Sequence, residues 1–148
     1  MKVVVHVDGG ARGNPGPAAA GAVISTPAGD VLDEVAQDLG IATNNVAEYR
    51  GLLLGLRRAR ELGAGEVEVV TDSELVARQV NGVYKVRHAD LRALHAQAVR
   101  ALDEFDRWSI RSVPRARNAR ADALVNRTLD ARARHRGGVS PRQPDERR

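Results

Sequence analysis

The order of strand-forming and helix-forming segments restricts the fold of this chain more than any other feature. Three strand patterns come first, over residues 3–8, 19–26 and 31–39, the last two joined by the turn Pro27-Ala28-Gly29-Asp30. Thr43 to Leu62 then carries Leu52, Leu53, Leu56 and Ala59 at helical spacing and stops at Leu62-Gly63. Beyond it lie a strand over 66–71, a short helix from Ser73 to Val80, and a helix from Ala89 to Phe105 with Leu91, Leu94, Ala98 and Leu102 on one face. A strand from Trp108 to Val113 and a helix from Asn118 to about Ala133, with Ala121, Leu124, Val125 and Leu129 apolar, complete the series. A meander followed by strands alternating with helices predicts an α/β fold. Its sheet is five-stranded and mixed, the first three strands antiparallel, with helices on both faces. The run Val3-Val4-Val5-His6-Val7 has the continuous apolar character of a strand buried on both faces. Gly9 to Pro17, rich in Gly and Pro, reads as a loop that ends it.

A chain of 148 residues, 43% hydrophobic and 28% charged, suits one globular domain with a proper core. It has no cysteine, which excludes disulfides and thiolate metal sites. The five-residue apolar run near the amino terminus is too short for a signal peptide or membrane span, so a cytoplasmic location is expected. Residues 1–110 hold 12 Lys and Arg against 15 Asp and Glu, whereas 111–148 hold 11 Arg against 4 acids. The basic character is therefore concentrated in the last quarter, as suits a polyanionic partner. Residues 1–134 are expected to form the domain, and the Arg/Gly/Pro-rich residues 135–148 a disordered tail or the start of a linker.

Four carboxylates fall at telling places. Asp8 and Asp72 each end an apolar strand run, while Glu48 and Asp122 lie in early helical turns. Each has a local structural explanation: a turn at Asp8-Gly9, a capping box from Asn45 to Glu48, a cap at Asp72 or Ser73, and a helix-dipole position for Asp122. Jointly they suggest more. Ligands of open α/β sheets bind beyond the carboxyl ends of the strands, where these groups can converge. Four like charges in one place repel strongly unless cations offset them. Oxygen donors without Cys or a His cluster favour Mg²⁺ or Mn²⁺ over Zn²⁺.

Four blocks resemble the motifs of type 1 ribonuclease H, in that family's order and across roughly residues 1–133. They are Val7-Asp8-Gly9-Gly10-Ala11-Arg12-Gly13-Asn14-Pro15-Gly16-Pro17, Ala42-Thr43-Asn44-Asn45-Val46-Ala47-Glu48, Val70-Thr71-Asp72-Ser73, and Arg115-Ala116-Arg117-Asn118-Ala119-Arg120-Ala121-Asp122. The resemblance implies a five-stranded ribonuclease H-like fold and an endonuclease that cuts the RNA strand of RNA–DNA hybrids. It implies two Mg²⁺ or Mn²⁺ ions on Asp8, Glu48, Asp72 and Asp122, and products with 5′-phosphate and 3′-hydroxyl ends. Discrimination of hybrid requires contacts to 2′-hydroxyls across the minor groove, for which Asn14, Asn44 and Asn45 are chemically suited. Gly9 and Gly10 would let backbone groups approach the strand, and Thr43 would meet a phosphate. Lys85, Arg115 and Asn118 complete the expected substrate contacts.

The chain departs from many bacterial relatives in two places. Their basic, Trp-containing protrusion is replaced by the short Asn81-Gly82-Val83-Tyr84-Lys85-Val86-Arg87-His88. The loop before Asp122 offers Arg115 and Arg117 where some relatives place a His. With the protrusion missing, Arg132, Arg134, Arg136, Arg142, Arg147 and Arg148 are expected to supply phosphate contacts. His6 is expected to pack in its strand, and His88 and His95 to lie on helix surfaces. A monomer is expected, with a second fused enzymatic domain beyond residue 148 as in some relatives. Two competing readings are a hybrid-binding module without catalysis and a DNA-cutting nuclease or transposase-like enzyme of the same superfamily.

Overall fold

A computed structural model of the protein describes residues 1–137. Its elements run β1 (Lys2–Ala11), β2 (Gly16–Ser25), β3 (Val31–Ala42), α1 (Asn44–Glu61), β4 (Glu66–Thr71), α2 (Glu74–Val80), α3 (Ala89–Asp103) and β5 (Arg107–Ser112). A 3-10 turn (Arg115–Asn118) leads into α4 (Ala119–Gly137). The five strands form one sheet in the order β3-β2-β1-β4-β5. The meander pairs antiparallel, and β4 runs parallel to both β1 and β5. The mixed sheet expected from element order is therefore present.

On one face α1 packs on β1 and β2 and α2 on β4 and β5, with α3 against α1, over a core that includes Val3, Val5, Val7, Leu52, Leu56 and Leu102. On the other face α4 crosses β1, β2 and β3, where Val125 and Leu129 pack on Ala19. The run at residues 3–7 is not buried on both faces: Val3, Val5 and Val7 are buried while Val4 and His6 stay half-exposed. α4 leaves them open to a surface depression of about 280 Å³. Nor does β1 stop at Gly9. Gly9, Gly10 and Ala11 pair with Ala20, Ala19 and Ala18, so cross-strand bonding carries the strand through a Gly-Gly step that weak local propensity would have ended.

Helix α1 approaches the sheet through Ala47, Gly51, Gly55 and Ala59, a row of small side chains four residues apart and all buried. Its cap is Thr43, whose Oγ1 accepts from the Val46 N–H (3.2 Å), not Asn45 as the capping-box spacing suggested. Ser73 caps α2 in the same way. His88 is exposed at the start of α3. His95 is half-buried, its Nε2 lying 3.1 Å from the Gln79 carbonyl, so it is less of a surface residue than its helical position implied.

Helix α4 runs about four residues past the expected end, to Gly137, and the boundary drawn at residue 134 falls inside it. Arg132 is not free for a phosphate: its Nη1 donates to the Gly40 carbonyl (2.9 Å) and pairs with Asp38 (3.3 Å), fixing α4 to β3. Arg142, Arg147 and Arg148 lie outside the described residues. Among those residues, no helix is long and apolar enough to cross a membrane.

Candidate active site

The carboxyl ends of β1 and β4 lie side by side because the two strands are parallel neighbours, and this places Asp8 next to Asp72. Glu48 reaches the same point from the first turns of α1. Two glycines permit it. A Cβ on Gly9 would lie 2.0 Å from the Ala47 carbonyl oxygen, and one on Gly51 would lie 2.3 Å from the Asp8 carbonyl oxygen. With only hydrogens there, β1 and α1 close until the Gly9 N–H donates to Glu48 Oε1 at 2.8 Å. One carboxylate oxygen from each of Asp8, Glu48 and Asp72 then lies within 4.8 Å of the others.

Asp122 stands across the same cleft of about 530 Å³. Its oxygens are engaged, Oδ1 by Arg115 Nη2 (3.0 Å) and Oδ2 by Asn126 Nδ2 (3.4 Å). It lies outside the tight group of three.

The electrostatics follow from burial and like charge. Burial, then the charge of Asp72, pushes Asp8 up to about 7. Burial, then the charges of Asp8 and Asp72, pushes Glu48 up to about 9. Asp72 is also raised by burial, with the Arg115 guanidinium opposing the shift. Three crowded oxygen donors whose charged forms are disfavoured until a cation offsets them are a fitting donor set for a hard divalent ion. The acidic group can therefore bind a metal.

The other expected site residues divide. Gly9, Gly10, Asn44 and Arg115 line the cleft, as do Arg12 and Asn126, which no local pattern singles out. Arg12 pairs with Asp130 at 2.7 Å and tethers the β1–β2 loop to α4. Asn14 Oδ1 accepts from the Asn44 N–H (3.1 Å), while Asn44 Oδ1 accepts from the Ala11 N–H (2.8 Å). Both oxygens brace the cleft wall, leaving the amide N–H groups free to donate. Asn45 is exposed and Thr43 is occupied as a cap. Lys85 is exposed between α2 and α3 and does not line the cleft. Asn118 is not a surface contact at all. It is 1% exposed, and its Nδ2 donates to the Val7 carbonyl at 2.8 Å, fixing the backbone just before Asp8.

A family model described as "Reverse transcriptase-like" matches residues 6–128. The chain is 53% identical over 134 residues to "Bifunctional protein Rv2228c" of Mycobacterium tuberculosis, covering 90% of this chain and 37% of that protein. It thus spans just over a third of the length of that curated relative. Ribonuclease HI of Halobacterium salinarum is 44% identical over 129 residues, covering 87% of this chain and 65% of that one. The solved N-terminal ribonuclease H domain of Rv2228c from M. tuberculosis, fused to maltose-binding protein, matches with a TM-score of 0.88 at 51% identity, covering 91% of this chain and 98% of that chain. LC11-RNase H1 in complex with an RNA/DNA hybrid matches with a TM-score of 0.84 at 41% identity, covering 88% and 99% of the respective chains.

Proposed function

The chain belongs to the type 1 ribonuclease H family, and from that premise we propose that it hydrolyses the RNA strand of RNA–DNA hybrids. Two Mg²⁺ or Mn²⁺ ions would be held by Asp8, Glu48, Asp72 and Asp122. The observation that carries this reading is the convergence of Asp8, Glu48 and Asp72 within 4.8 Å at the strand ends, with Asp122 across one cleft. Bound there, the cations would lower the pKa of an attacking water and offset charge on the leaving 3′ oxygen, giving 5′-phosphate and 3′-hydroxyl ends.

The protein's own groups do the positioning. The Gly9 N–H holds Glu48 toward the other carboxylates, and Asn118 fixes the carbonyl that precedes Asp8. Arg115 offsets the charge of Asp122 and, from the cleft wall, would meet a phosphate oxygen. The amide N–H groups of Asn14 and Asn44 suit 2′-hydroxyl oxygens across a minor groove, with Asn45 and the backbone at Gly9 and Gly10 beside them. Thr43 remains a phosphate contact through the hydroxyl lone pair and proton not used in capping, and Lys85 a peripheral one. Absence of the protrusion places more of the grip elsewhere. The proposal extends to a monomeric, cytoplasmic protein whose domain runs to the end of α4 at Gly137, past the expected boundary at residue 134. The residues after α4 would be a tail or linker, with a further domain beyond them, in keeping with the share of Rv2228c that is matched.

Labelled hybrid, double-stranded DNA and double-stranded RNA, incubated side by side in Mg²⁺ and in Mn²⁺, test the reading. Cleavage of hybrid RNA alone is expected. Binding without cleavage would favour the non-catalytic module, and cleavage of DNA the superfamily nuclease.

A further inference from the structure

Outside the cleft, a groove of about 420 Å³ between α1 and α3 gathers four arginines. Arg50, Arg57 and Arg60 line it from α1 and Arg100 from α3, over a floor that includes Leu53 and Leu54. Arg60 is engaged with Glu104, the groove's one acid, through its carboxylate (3.4 Å) and carbonyl (2.8 Å). Among the described residues no ion pair holds Arg50, Arg57 or Arg100. Acids outnumber bases over residues 1–110, 15 to 12, so four arginines around one groove reverse the local sign of the surface.

The groove also leads somewhere. It shares Arg50 and Gln97 with a second depression of about 640 Å³ lined by Pro15, Thr43 and Val46, in which Asp90 is the one acid. Pro15 and Thr43 of that depression are next in the chain to Asn14 and Asn44, which are hydrogen-bonded to each other, and Asn44 lines the carboxylate cleft. Arg50 and Arg57 are two turns apart on one face of α1, about 10 Å along the axis. From Thr43 to Arg57 the helix covers about 21 Å, the length of about six stacked nucleotides at ~3.4 Å each.

We propose that the α1–α3 groove binds the phosphodiester backbone of a single strand that continues beyond the hybrid held in the cleft. Unpaired guanidinium groups meet phosphates, and the leucine floor accepts sugar and base edges. This rests on the hybrid-hydrolase reading above. An acidic peptide would satisfy the charge equally, but continuity with the cleft favours a strand that leaves it.

The test uses the full chain in chelator, so that binding is read without turnover. A blunt hybrid is compared with the same hybrid carrying an oligo-dT overhang, long enough to cross the groove, on either end of the DNA strand. At one end or the other the overhang should tighten binding at least about threefold and steepen the log–log salt slope by about two, from three arginines at ~0.7 each. The variant Arg50→Gln/Arg57→Gln/Arg100→Gln, checked for an unchanged melt, should bind both hybrids alike. The corresponding triple Lys variant should keep the overhang effect, because a phosphate needs only the charge. Absence of an overhang effect at both ends, or its survival in the Gln variant, overturns the proposal. Arginine-dependent binding of a fluorescent Glu/Leu peptide with no overhang effect also overturns it, making the groove a peptide site. Cleavage of blunt hybrid in Mg²⁺ is read separately and tests the hydrolase assignment, whereas the overhang effect tests the groove.

Discussion

Replacing Glu48 by Gln should flatten the pH dependence of the metal-free protein's stability. In the folded chain Glu48 is pushed up to about 9 and Asp8 to about 7, each chiefly by burial and then by neighbouring negative charge. In the unfolded chain both return to roughly 4. The folded state therefore binds more protons than the unfolded one between about pH 4 and pH 9. Stability from this source is complete below the unfolded value and is lost as pH rises through the folded values. A rise from 4.5 to about 9 corresponds to an upper bound of ~6 kcal/mol at about 1.4 kcal/mol per pH unit. Part of that repulsion is the same one that raises Asp8, and Glu48 is partly solvated, so ~2–3 kcal/mol is expected in measurement. For a domain of this size that is roughly 10 °C in Tm. Gln is neutral throughout, and its side-chain oxygen can still accept the Gly9 N–H. Melts in chelator at pH 5, 7 and 9 should show wild type losing roughly 10 °C and the variant about half as much or less. Saturating Mg²⁺ at pH 8 should raise the wild-type Tm more than the variant's. Parallel curves for the two proteins, or a wild-type Tm indifferent to Mg²⁺, would refute the electrostatic account.

Other perturbations test the scaffold beneath the carboxylates. Gly51→Ala puts a methyl group 2.3 Å from the Asp8 carbonyl oxygen; a loss of about 1–3 kcal/mol in urea unfolding and a fall in turnover should follow as α1 is forced off β1. Asn118→Ala strips the Val7 carbonyl of its buried donor, at about 1–3 kcal/mol, and calorimetry should find weaker Mg²⁺ binding because Asp8 is next in the chain. Arg132→Ala should cost about 1 kcal/mol or more by freeing the Gly40 carbonyl and Asp38, while hybrid affinity and its salt slope stay unchanged.

Much of the architecture was legible because the decisive signals are local. β-branched runs marked the strands, Leu spacing marked α1 and α3, and aspartates closing two of the runs marked the point where parallel neighbours would converge. What escaped the sequence depends on partners far along the chain. Nothing local says that Gly9 to Ala11 continue as strand, since their partners are Ala18 to Ala20. The leucine stripe of α1 drew attention from the row Ala47, Gly51, Gly55, Ala59, although two glycines kept in a helix interior at a cost of ~1 kcal/mol each are a sign of close backbone contact. Asn118 looked like a polar contact before Asp122, and only the path of β1 reveals Val7 as its acceptor, 111 residues away. Arg132 looked like a free tail charge for the same reason, with Gly40 at a separation of 92.

The most direct test of the central claim is single-turnover cleavage of a 5′-labelled RNA strand in hybrid by wild type and by Asp72→Asn in saturating Mg²⁺. Removing one charge from the group of three should misplace the cations and cost several kcal/mol of transition-state stabilisation. Wild type should release fragments ending in 3′-hydroxyl, and Asp72→Asn should bind the hybrid with similar affinity yet leave it intact. Near-wild-type turnover by the variant would contradict the account.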